Sequence, residues 1–397
     1  MEEERKLILK MVEDGKISPE DGSKLLKAVN DGDGEKQTEE SNQSVSGPDT
    51  GASRKEEEKT GPSTETSLPT RVSGRQESRS DWNTDREQEK QEDHRSGAAT
   101  GFYDFIDSAV RKIKELDLDF NFGPYQEVHH IFQHKNIEQP SLDISLENGS
   151  LEWRPWDEAD VKLECDVKVY KSRTQEEARQ EFLKETVFEV DDTHLRFYTR
   201  TKTMKVDAVL YVPRRTYESL NLYTFNGHLR GKEVKVNSLS AKAVNGSLTI
   251  EQPDTMKCHL ETVNGPVKVT GGRIDVGDVK TMNGTIELNA DIRDLEAESV
   301  NGTIDALMRV SQDARAALSA TTGSIFVTVP PEIRTEGHLR TNVGNYNYSL
   351  RDMDIHEEKK DFIQKSLRFT SNTEASPRLR LNAQTKTGSI SVKPEDS

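Results

Sequence analysis

The sequence predicts a mostly β protein whose main domain is a single-chain β-solenoid, or β-helix, with rungs of ~19 residues. Three observations predict this fold: Asn-Gly pairs recur, most of them are evenly spaced, and apolar residues alternate around them. A period of about 20 residues is typical of proteins that stack one supersecondary unit many times. The pairs are Asn148-Gly149, Asn226-Gly227, Asn245-Gly246, Asn264-Gly265, Asn283-Gly284 and Asn301-Gly302; three of the four intervals between the last five are equal, and the fourth is shorter by a single position.

Each Asn-Gly pair lies between two predicted strands. Apolar residues stand two and four positions after the glycine, and this period-two pattern indicates a strand with one buried face. The position three residues before the glycine is small in the evenly spaced copies, as in Thr224, Ala243, Thr262, Thr281 and Ser299. The residues two positions after the glycine are Leu151, Leu229, Leu248, Val267, Ile286 and Ile304, with Ile325 and Ile390 in looser copies.

Two architectures could use these pairs, because glycine adopts positive φ freely and asparagine tolerates it. In an antiparallel meander each pair would form a two-residue hairpin turn. In a solenoid each pair would form a corner, and the asparagine side chains would hydrogen-bond from rung to rung. Only stacking requires an equal period and a small residue at one fixed offset, so we predict the solenoid.

The chain divides into four predicted parts. Residues 1–30 form a small α-helical hairpin, residues 31–99 a disordered linker, residues 100–119 an amphipathic helix or cap, and residues 120–393 the β-helix domain. The linker contains only seven hydrophobic residues against 17 acidic and 10 basic ones. A segment of this kind cannot bury enough apolar surface to offset the entropy lost on ordering.

Two insertions interrupt the repeat. Residues 157–217 follow the first Asn-Gly pair, and their pattern predicts strands at 161–169 and 206–212 with a helix at about 175–184 between them. A second insertion, at about 351–372, separates the rungs built on Gly344 and Gly388.

The composition excludes several classes of protein. A net charge of −16 without a basic stripe argues against a nucleic-acid partner. Cys165 and Cys258 are too few for a disulfide framework and occupy apolar strand positions, so we predict buried free thiols. No apolar run reaches the ~18 residues of a membrane-spanning helix. The chain starts with acidic residues, unlike a signal peptide, so we expect a cytoplasmic protein.

The N-terminal hairpin is the predicted docking element. Its first helix places Leu7 and Met11 on one face, and its second continues through Leu25. So few apolar side chains cannot form a stable core by themselves. We therefore expect residues 1–30 to bind a protein partner or a second copy of the chain, with these three residues carrying the contact.

The helix predicted at 102–116 has one apolar side and several cations near its C-terminal end. That pattern suits a lid on the first rung of the solenoid. It also suits a helix that lies on a membrane surface. We favour the lid and keep membrane-surface contact as the alternative.

Two stretches resemble known bacterial families. The run KLILKMVEDGKISPEDGSKLLKAV, residues 6–29, resembles the SHOCT-like helical hairpin. The Asn-Gly repeats and the closing run LRLNAQTKTGSISV, residues 379–392, resemble the putative-adhesin β-helix family of unknown function, in its YvlB-like form. The resemblance implies a cytoplasmic β-helix protein linked to envelope-stress genes, with no assigned catalytic residues.

A histidine cluster is the first candidate for chemistry. His130 and His134 would share one face of a helix and could bind a metal together with His129. The surrounding run EVHHIF is more typical of a strand, and no further ligand is near in sequence. We therefore predict no metal site.

A set of outward carboxylates is the second candidate. Asp275, Asp278, Glu287 and Asp291, with Lys268 or Lys280, could cleave an acidic polysaccharide if they converged in one groove. Outward strand positions are polar in any solenoid, so solvated wall residues are the expected interpretation.

We therefore predict a non-enzymatic scaffold or interaction protein with no catalytic, cofactor-binding or metal-binding residues. The alternative is a carbohydrate-binding or carbohydrate-cleaving β-helix protein.

Overall fold

The computed structural model describes residues 97–114, 123–361 and 364–395. The predicted hairpin at 1–30 and most of the predicted linker lie outside these ranges. The described ranges contain two helices, α1 (Gly97–Lys114) and α2 (Gln175–Glu185). α1 begins inside the stretch predicted as linker, because alanines such as Ala98 and Ala99 favour a helix.

The described strands form one continuous sheet of 23 strands. Its first part contains β1 (Tyr125–His134), β2 (Ser141–Asn148), β3 (Leu151–Trp156), β4 (Val161–Tyr170), β5 (Thr186–Val190), β6 (His194–Thr199), β7 (Met204–Pro213) and β8 (Tyr217–Asn226). Its middle contains β9 (Leu229–Lys232), β10 (Lys235–Asn245), β11 (Leu248–Glu251), β12 (Asp254–Asn264), β13 (Val267–Asn283), β14 (Ile286–Asn301) and β15 (Ile304–Arg309). Its last part contains β16 (Ala314–Thr322), β17 (Ile325–Val329), β18 (Arg334–Val343), β19 (Tyr346–Tyr348), β20 (Met353–Lys360), β21 (Lys365–Ser371), β22 (Arg378–Thr387) and β23 (Ile390–Pro394).

Strand pairing arranges the sheet in two stacks around one hydrophobic core. The first stack follows the order β5, β6, β2, β8, β10, β12, β13, β14, β16, β22, β18, β21 and β20. The second follows the order β1, β4, β7, β3, β9, β11, β13, β14, β15, β17, β23 and β19. β13 and β14 are long enough to belong to both stacks.

Successive strands in the middle of both stacks are parallel and in register. Asn264 pairs with Asn245 on one side and with Asn283 on the other. A meander of hairpins would place neighbouring strands antiparallel, so the pairing excludes it for these strands. The predicted mostly β, solenoid-like fold is confirmed.

The core consists of columns of inward side chains, because alternate residues of a strand point to opposite faces. One column contains a buried aliphatic residue from each successive strand of the second stack: Leu151, Leu229, Leu248, Val267, Ile286, Ile304, Ile325 and Ile390. Each of these side chains packs against the residue at the same position of the neighbouring strand, and the two are similar in size. Close packing of this kind tolerates little change in volume.

The first insertion closes one end of the stacks. Its strands β4 and β7 pair antiparallel, and β1 pairs antiparallel with β4. α2 begins at the N-cap Thr174, whose hydroxyl accepts the Glu177 amide, and buries Ala178 and Phe182. The ring centroids of Phe182 and Phe132 lie 6.0 Å apart. The strands and the helix predicted for this insertion are therefore confirmed.

The other end departs from chain order. β22 and β23 lie between the β16–β17 and β18–β19 strands, although they come last in the sequence. Along the chain, β18 and β19 come first and form the outer rung, and the β20–β21 hairpin follows. The chain then returns as β22 and β23, which lie between that rung and β16–β17. The second predicted insertion corresponds to this hairpin.

α1 does not lie over the end of the first rung, so the predicted cap is wrong in its position. Phe102, Phe105, Ile106 and Ala109 pack against the outer side of β8, β10 and β12. The end itself is occupied by α2, which the sequence places directly after β4. These four α1 side chains are buried.

We expect the two faces of β14 to differ sharply in their tolerance of substitution. Ile286→Asp would place a charge among fully buried side chains and should lower the free energy of unfolding by several (~3–5) kcal/mol. Glu287→Ala, on the exposed side, should change it by less than about 0.5 kcal/mol. Thermal unfolding of both variants measures the difference, and equal melting temperatures would contradict the assignment of faces.

Candidate functional site

The Asn-Gly pairs form a continuous ladder of side-chain amides. Each asparagine Nδ2 donates to the Oδ1 of the asparagine in the preceding rung, with distances from 2.8 to 3.0 Å. The ladder runs through Asn148, Asn226, Asn245, Asn264, Asn283 and Asn301. It begins where Asn148 Nδ2 donates to the Lys202 carbonyl, at 2.7 Å. Every amide in the series therefore has a partner along the stack.

A second set of hydrogen bonds explains the threonines and serine found three positions before the glycine. The Thr281 hydroxyl donates to the Gly265 carbonyl at 3.1 Å, and the Thr262 hydroxyl donates to the Gly246 carbonyl at 3.0 Å. The same bond is made by Thr224, Ser299, Thr341 and Thr385. A hydroxyl at this position satisfies a buried backbone carbonyl that faces the neighbouring rung.

The glycines are required because successive rungs approach closely at these positions. A Cβ atom on Gly265 would lie 2.1 Å from the Gly246 carbonyl oxygen, and one on Gly284 would lie 2.0 Å from the Gly265 carbonyl oxygen. No side chain fits such a gap without moving the backbone.

A column of apolar side chains on the outside of the first stack forms the docking surface for α1. This outer apolar column contains Phe225, Val244, Val263 and Met282, each directly before an asparagine of the ladder. Sequence reasoning missed it, although the signal was present as an apolar residue repeated at one offset on the face expected to be polar. The column therefore adds an apolar surface outside the core.

α1 and the outer apolar column match in spacing. One turn of α-helix rises ~5.4 Å and neighbouring strands lie ~4.8 Å apart, so each turn lies over about one strand. Lys112 reaches Glu147 at 3.2 Å beside β8, and Phe105 lies beneath the Lys242 ammonium of β10, 5.4 Å from the ring centroid. The helix therefore runs along the stack, across several strands.

A charged network lies beside this column on β10, β12 and β13. Lys242 pairs with Glu261 at 2.9 Å, and Lys280 pairs with Asp278 at 3.1 Å. His259 donates to both carboxylates, at 2.9 Å to Glu261 and 3.1 Å to Asp278. Glu261 and Lys280 are at most 1% exposed although they point away from the core. Buried charges require this degree of pairing.

The network changes the proton affinity of its members. Burial disfavours the imidazolium, but hydrogen bonds to Asp278 and Glu261 outweigh it and raise the pKa of His259 to about 8. Burial would raise the pKa values of Glu261 and Asp278, but His259 and the neighbouring lysines lower them. His259, Glu261 and Asp278 are therefore ionised at neutral pH.

The outward carboxylates named from the sequence do not converge. Asp278 pairs with His259 in the first stack, whereas Glu287 pairs with Lys268 in the second stack at 2.8 Å. Asp275 lies near Arg273, 3.6 Å away. Asp291 accepts a hydrogen bond from the Ser311 hydroxyl. The turn at Gly271 and Gly272, both with positive φ, directs the two halves of β13 into different stacks.

The three clustered histidines lie on opposite faces of β1. His129 pairs with Asp166 at 2.5 Å on the outside. His130 stacks edge-on against Phe132 and Phe182, and burial lowers its pKa. Within the described ranges, no group of three or more His, Cys, Asp or Glu side chains is placed to hold a metal ion.

The remaining sequence assignments have clear positions. Cys165 and Cys258 are buried free thiols, as predicted, and burial raises the pKa of Cys258 to about 12. Leu7, Met11 and Leu25 lie outside the described residues. Neither of the two described helices is long and apolar enough to cross a membrane.

Comparison with known proteins assigns the fold family. A family model described as Toastrack DUF4097 matches residues 140–393. The chain belongs to this family. A SHOCT-like domain model matches residues 3–34. The sequence is 31% identical to the uncharacterized protein YvlB of Bacillus subtilis (strain 168) over 305 residues, which cover 77% of this chain and 83% of the relative. The resemblance inferred from the sequence is therefore confirmed.

Solved structures related to this Toastrack domain are more distant. A putative adhesin from Bacteroides fragilis NCTC 9343 is 13% identical, with a TM-score of 0.40, over 67% of this chain and 97% of that chain. A putative lipid binding protein from Parabacteroides distasonis ATCC 8503 is 12% identical, with a TM-score of 0.33, over 68% of this chain and 97% of that chain. Similarity at this level does not bear on function.

We expect Gly265→Ala to destabilise the domain, because its Cβ would overlap the Gly246 carbonyl oxygen. The expected loss is about 3 kcal/mol in the free energy of unfolding. Gly123→Ala is the matched control, since a Cβ there has no heavy atom within 4 Å. Denaturant unfolding measures both, and a Gly265 variant as stable as the control would contradict the close approach of the rungs.

We expect stability to depend on pH through His259. Its pKa is about 8 in the folded protein and ~6.5 when unfolded. The stabilisation is therefore complete below about pH 6.5 and is lost as the pH rises through 8. His259→Gln should remove this part of the pH dependence, measured as the free energy of unfolding between pH 6 and 9. His228→Gln, at an exposed position, is the control, and an unchanged slope in the His259 variant would contradict the assignment.

Proposed function

We propose that this protein is a non-enzymatic scaffold of the bacterial cell-envelope stress response, which acts in the cytoplasm and docks through its N-terminal hairpin. In this proposal the Asn-Gly pairs are the corners of rungs of ~19 residues. The stacked rungs form a rigid body, and the hairpin at residues 1–30 supplies the contact with a protein partner.

The main support for this proposal comes from the polar side chains on the outside of the stacks. In the described residues, the asparagine amides bind one another, the threonine hydroxyls bind backbone carbonyls of the neighbouring rung, and Glu287 pairs with Lys268. Groups used in this way stabilise a repeat and leave little for a substrate. A scaffold fits that arrangement better than an enzyme, which needs groups that converge on a reacting atom.

The match to a SHOCT-like model over residues 3–34 supports a docking role for the hairpin. A flexible linker of about 70 residues has a root-mean-square span of ~45 Å. The hairpin could then bind a partner while the solenoid remains free. The envelope-stress assignment rests on the resemblance to YvlB-like proteins.

The two alternatives have less support. A carbohydrate-cleaving site needs the outward carboxylates to face one groove, and Asp278 and Glu287 lie in different stacks. Membrane contact through residues 102–116 would require α1 to leave the outer apolar column, where Phe102, Phe105, Ile106 and Ala109 are buried.

We expect deletion of residues 1–30 to leave the melting temperature of the solenoid unchanged and to remove a bound partner. In the full chain, the triple substitution Leu7→Asp, Met11→Asp and Leu25→Asp should have the same effect, because it charges the predicted contact face. Lys24→Ala, on the polar side of the predicted helix, is the matched control.

Affinity purification from the native host, followed by thermal unfolding of each purified variant, tests this prediction. A partner lost from the triple variant and retained by the control supports docking. Partner binding that survives the deletion would overturn it, and a large fall in melting temperature would indicate that the hairpin is part of the solenoid fold.

A further inference from the structure

The sheet has four edge strands within the described residues, and they differ in how well they resist pairing with another chain. β5 and β19 are short, with five and three residues. β20 is longer, but it ends in the charged run Glu357–Lys360 and has a register irregularity after Ile355. Short length, charge and irregular pairing are the usual means by which proteins protect an edge. Three of the four edges are therefore protected.

β1 has none of these protections. It is ten residues long and pairs with β4 along its entire length without a register shift. It contains no proline or glycine, and Glu127 is its only Asp, Glu, Lys or Arg residue. Tyr125 is 44% exposed and Ile131 is 56% exposed on its outer face. A long, regular and partly apolar edge of this kind is a template for strand addition.

The backbone of β1 is oriented for such an addition. The Pro124 carbonyl accepts the Lys171 amide, next to the β4 partner strand. The Glu127 carbonyl instead accepts the Gln175 side chain at 3.2 Å, outside the ladder with β4. In an antiparallel pair the hydrogen-bonding direction alternates, so Tyr125, Glu127, His129 and Ile131 all turn their N–H and C=O groups away from β4. The Glu127 carbonyl has a second lone pair for an incoming amide.

The outer face of β1 is complementary to itself. If a second β1 lies antiparallel with the two-fold axis at Val128, Tyr125 lies opposite Ile131 of the second copy, and Glu127 lies opposite His129. Each pair occurs twice by symmetry. Aromatic–β-branched pairs stabilise adjacent strands, and the Glu127 carboxylate can accept a hydrogen bond from the His129 ring of the second copy. An axis at His129 would instead place the two His129 rings opposite each other and Glu127 opposite Ile131, which is less favourable.

We propose that β1 is an association surface, on which a second copy of this chain adds its own β1 in antiparallel orientation about an axis at Val128. The pairing joins two sheets end to end through residues 125–131. A contact of seven residues buries less than the ~800 Å² per partner of a standard stable interface, so the dimer is reversible and depends on concentration. This contact is separate from the hairpin at residues 1–30.

Cysteine cross-linking of the full chain tests the register directly. Paired residues in an antiparallel ladder have Cα atoms ~5.5 Å apart, which a disulfide can bridge. The double variant Tyr125→Cys/Ile131→Cys should form a disulfide-linked dimer under mild oxidation, and each single variant should remain unlinked. The native Cys165 and Cys258 are buried, so they should not form cross-links themselves.

Two results of this experiment would overturn the proposal. One is a double variant whose thiols react with a labelling reagent but do not link two chains. The other is efficient linking by the single variant His129→Cys, which places the axis at the wrong residue.

Sedimentation of charged variants tests the surface by a second route. Ile131→Lys should raise the dimer dissociation constant about tenfold, because it removes the aromatic–β-branched pair with Tyr125 of the second copy in both symmetric positions. Ile355→Lys is the matched control, since Ile355 is similarly exposed on the edge strand at the other end. Both variants should keep the wild-type melting temperature.

The hairpin variant Leu7→Asp separates this proposal from the proposed docking role. Dimerisation through β1 should persist in that variant. Self-association that is lost with Leu7→Asp and retained with Ile131→Lys would assign the contact to the hairpin and overturn the role of β1.

Discussion

The domain depends on successive rungs lying directly over one another at one spacing. At the Asn-Gly positions this brings the backbone of one rung so close to the next that only hydrogen fits on the Gly265 and Gly284 α-carbons. The same closeness lets asparagine amides and threonine hydroxyls reach the rung beside them. Steric exclusion and hydrogen bonding therefore select the same register. A slip of one residue would break both sets of hydrogen bonds and move inward side chains to the surface.

Equal spacing also organises the outside of the stacks. A residue type that recurs at one offset becomes a column, whether it is apolar, as before each asparagine, or charged, as in the run of Lys242, Glu261 and Lys280. The outer apolar column has the spacing of a helix, so α1 can bury one side chain per turn against it. Glu261 and Lys280 in the charged column are buried and need charged partners beside them, which accounts for the carboxylates of Glu261 and Asp278 that accept from His259. An outer surface built from such columns is suited to stabilising the stack and binding a helix.

The ends of a stack obey a different constraint, because the repeat cannot satisfy its last strand. Antiparallel additions close both ends: β4 and β7 at one end, and β20 and β21 at the other. α2 covers the aromatic side chains at the first end, where Phe132, Phe182 and Phe197 meet. Charge and irregular pairing protect the second end. The asymmetry leaves β1 as the edge best suited to an intermolecular contact.

The sequence by itself determined the elements that depend on local periodicity. The Asn-Gly spacing, the inward column that includes Ile286 and the alternating strands of the first insertion all follow from side-chain period, which is a property of consecutive residues. Buried thiols at Cys165 and Cys258 followed for the same reason. Only the tertiary structure decided which strands are neighbours at the far end. The repeat determines the size of the inward side chains of each rung, and any rung with side chains of that size can pair at a given position. Thus β22, although last in the chain but for β23, lies between β16 and β18. The position of α1 and the separation of Asp278 from Glu287 were likewise undecided, since both depend on where the chain turns between stacks.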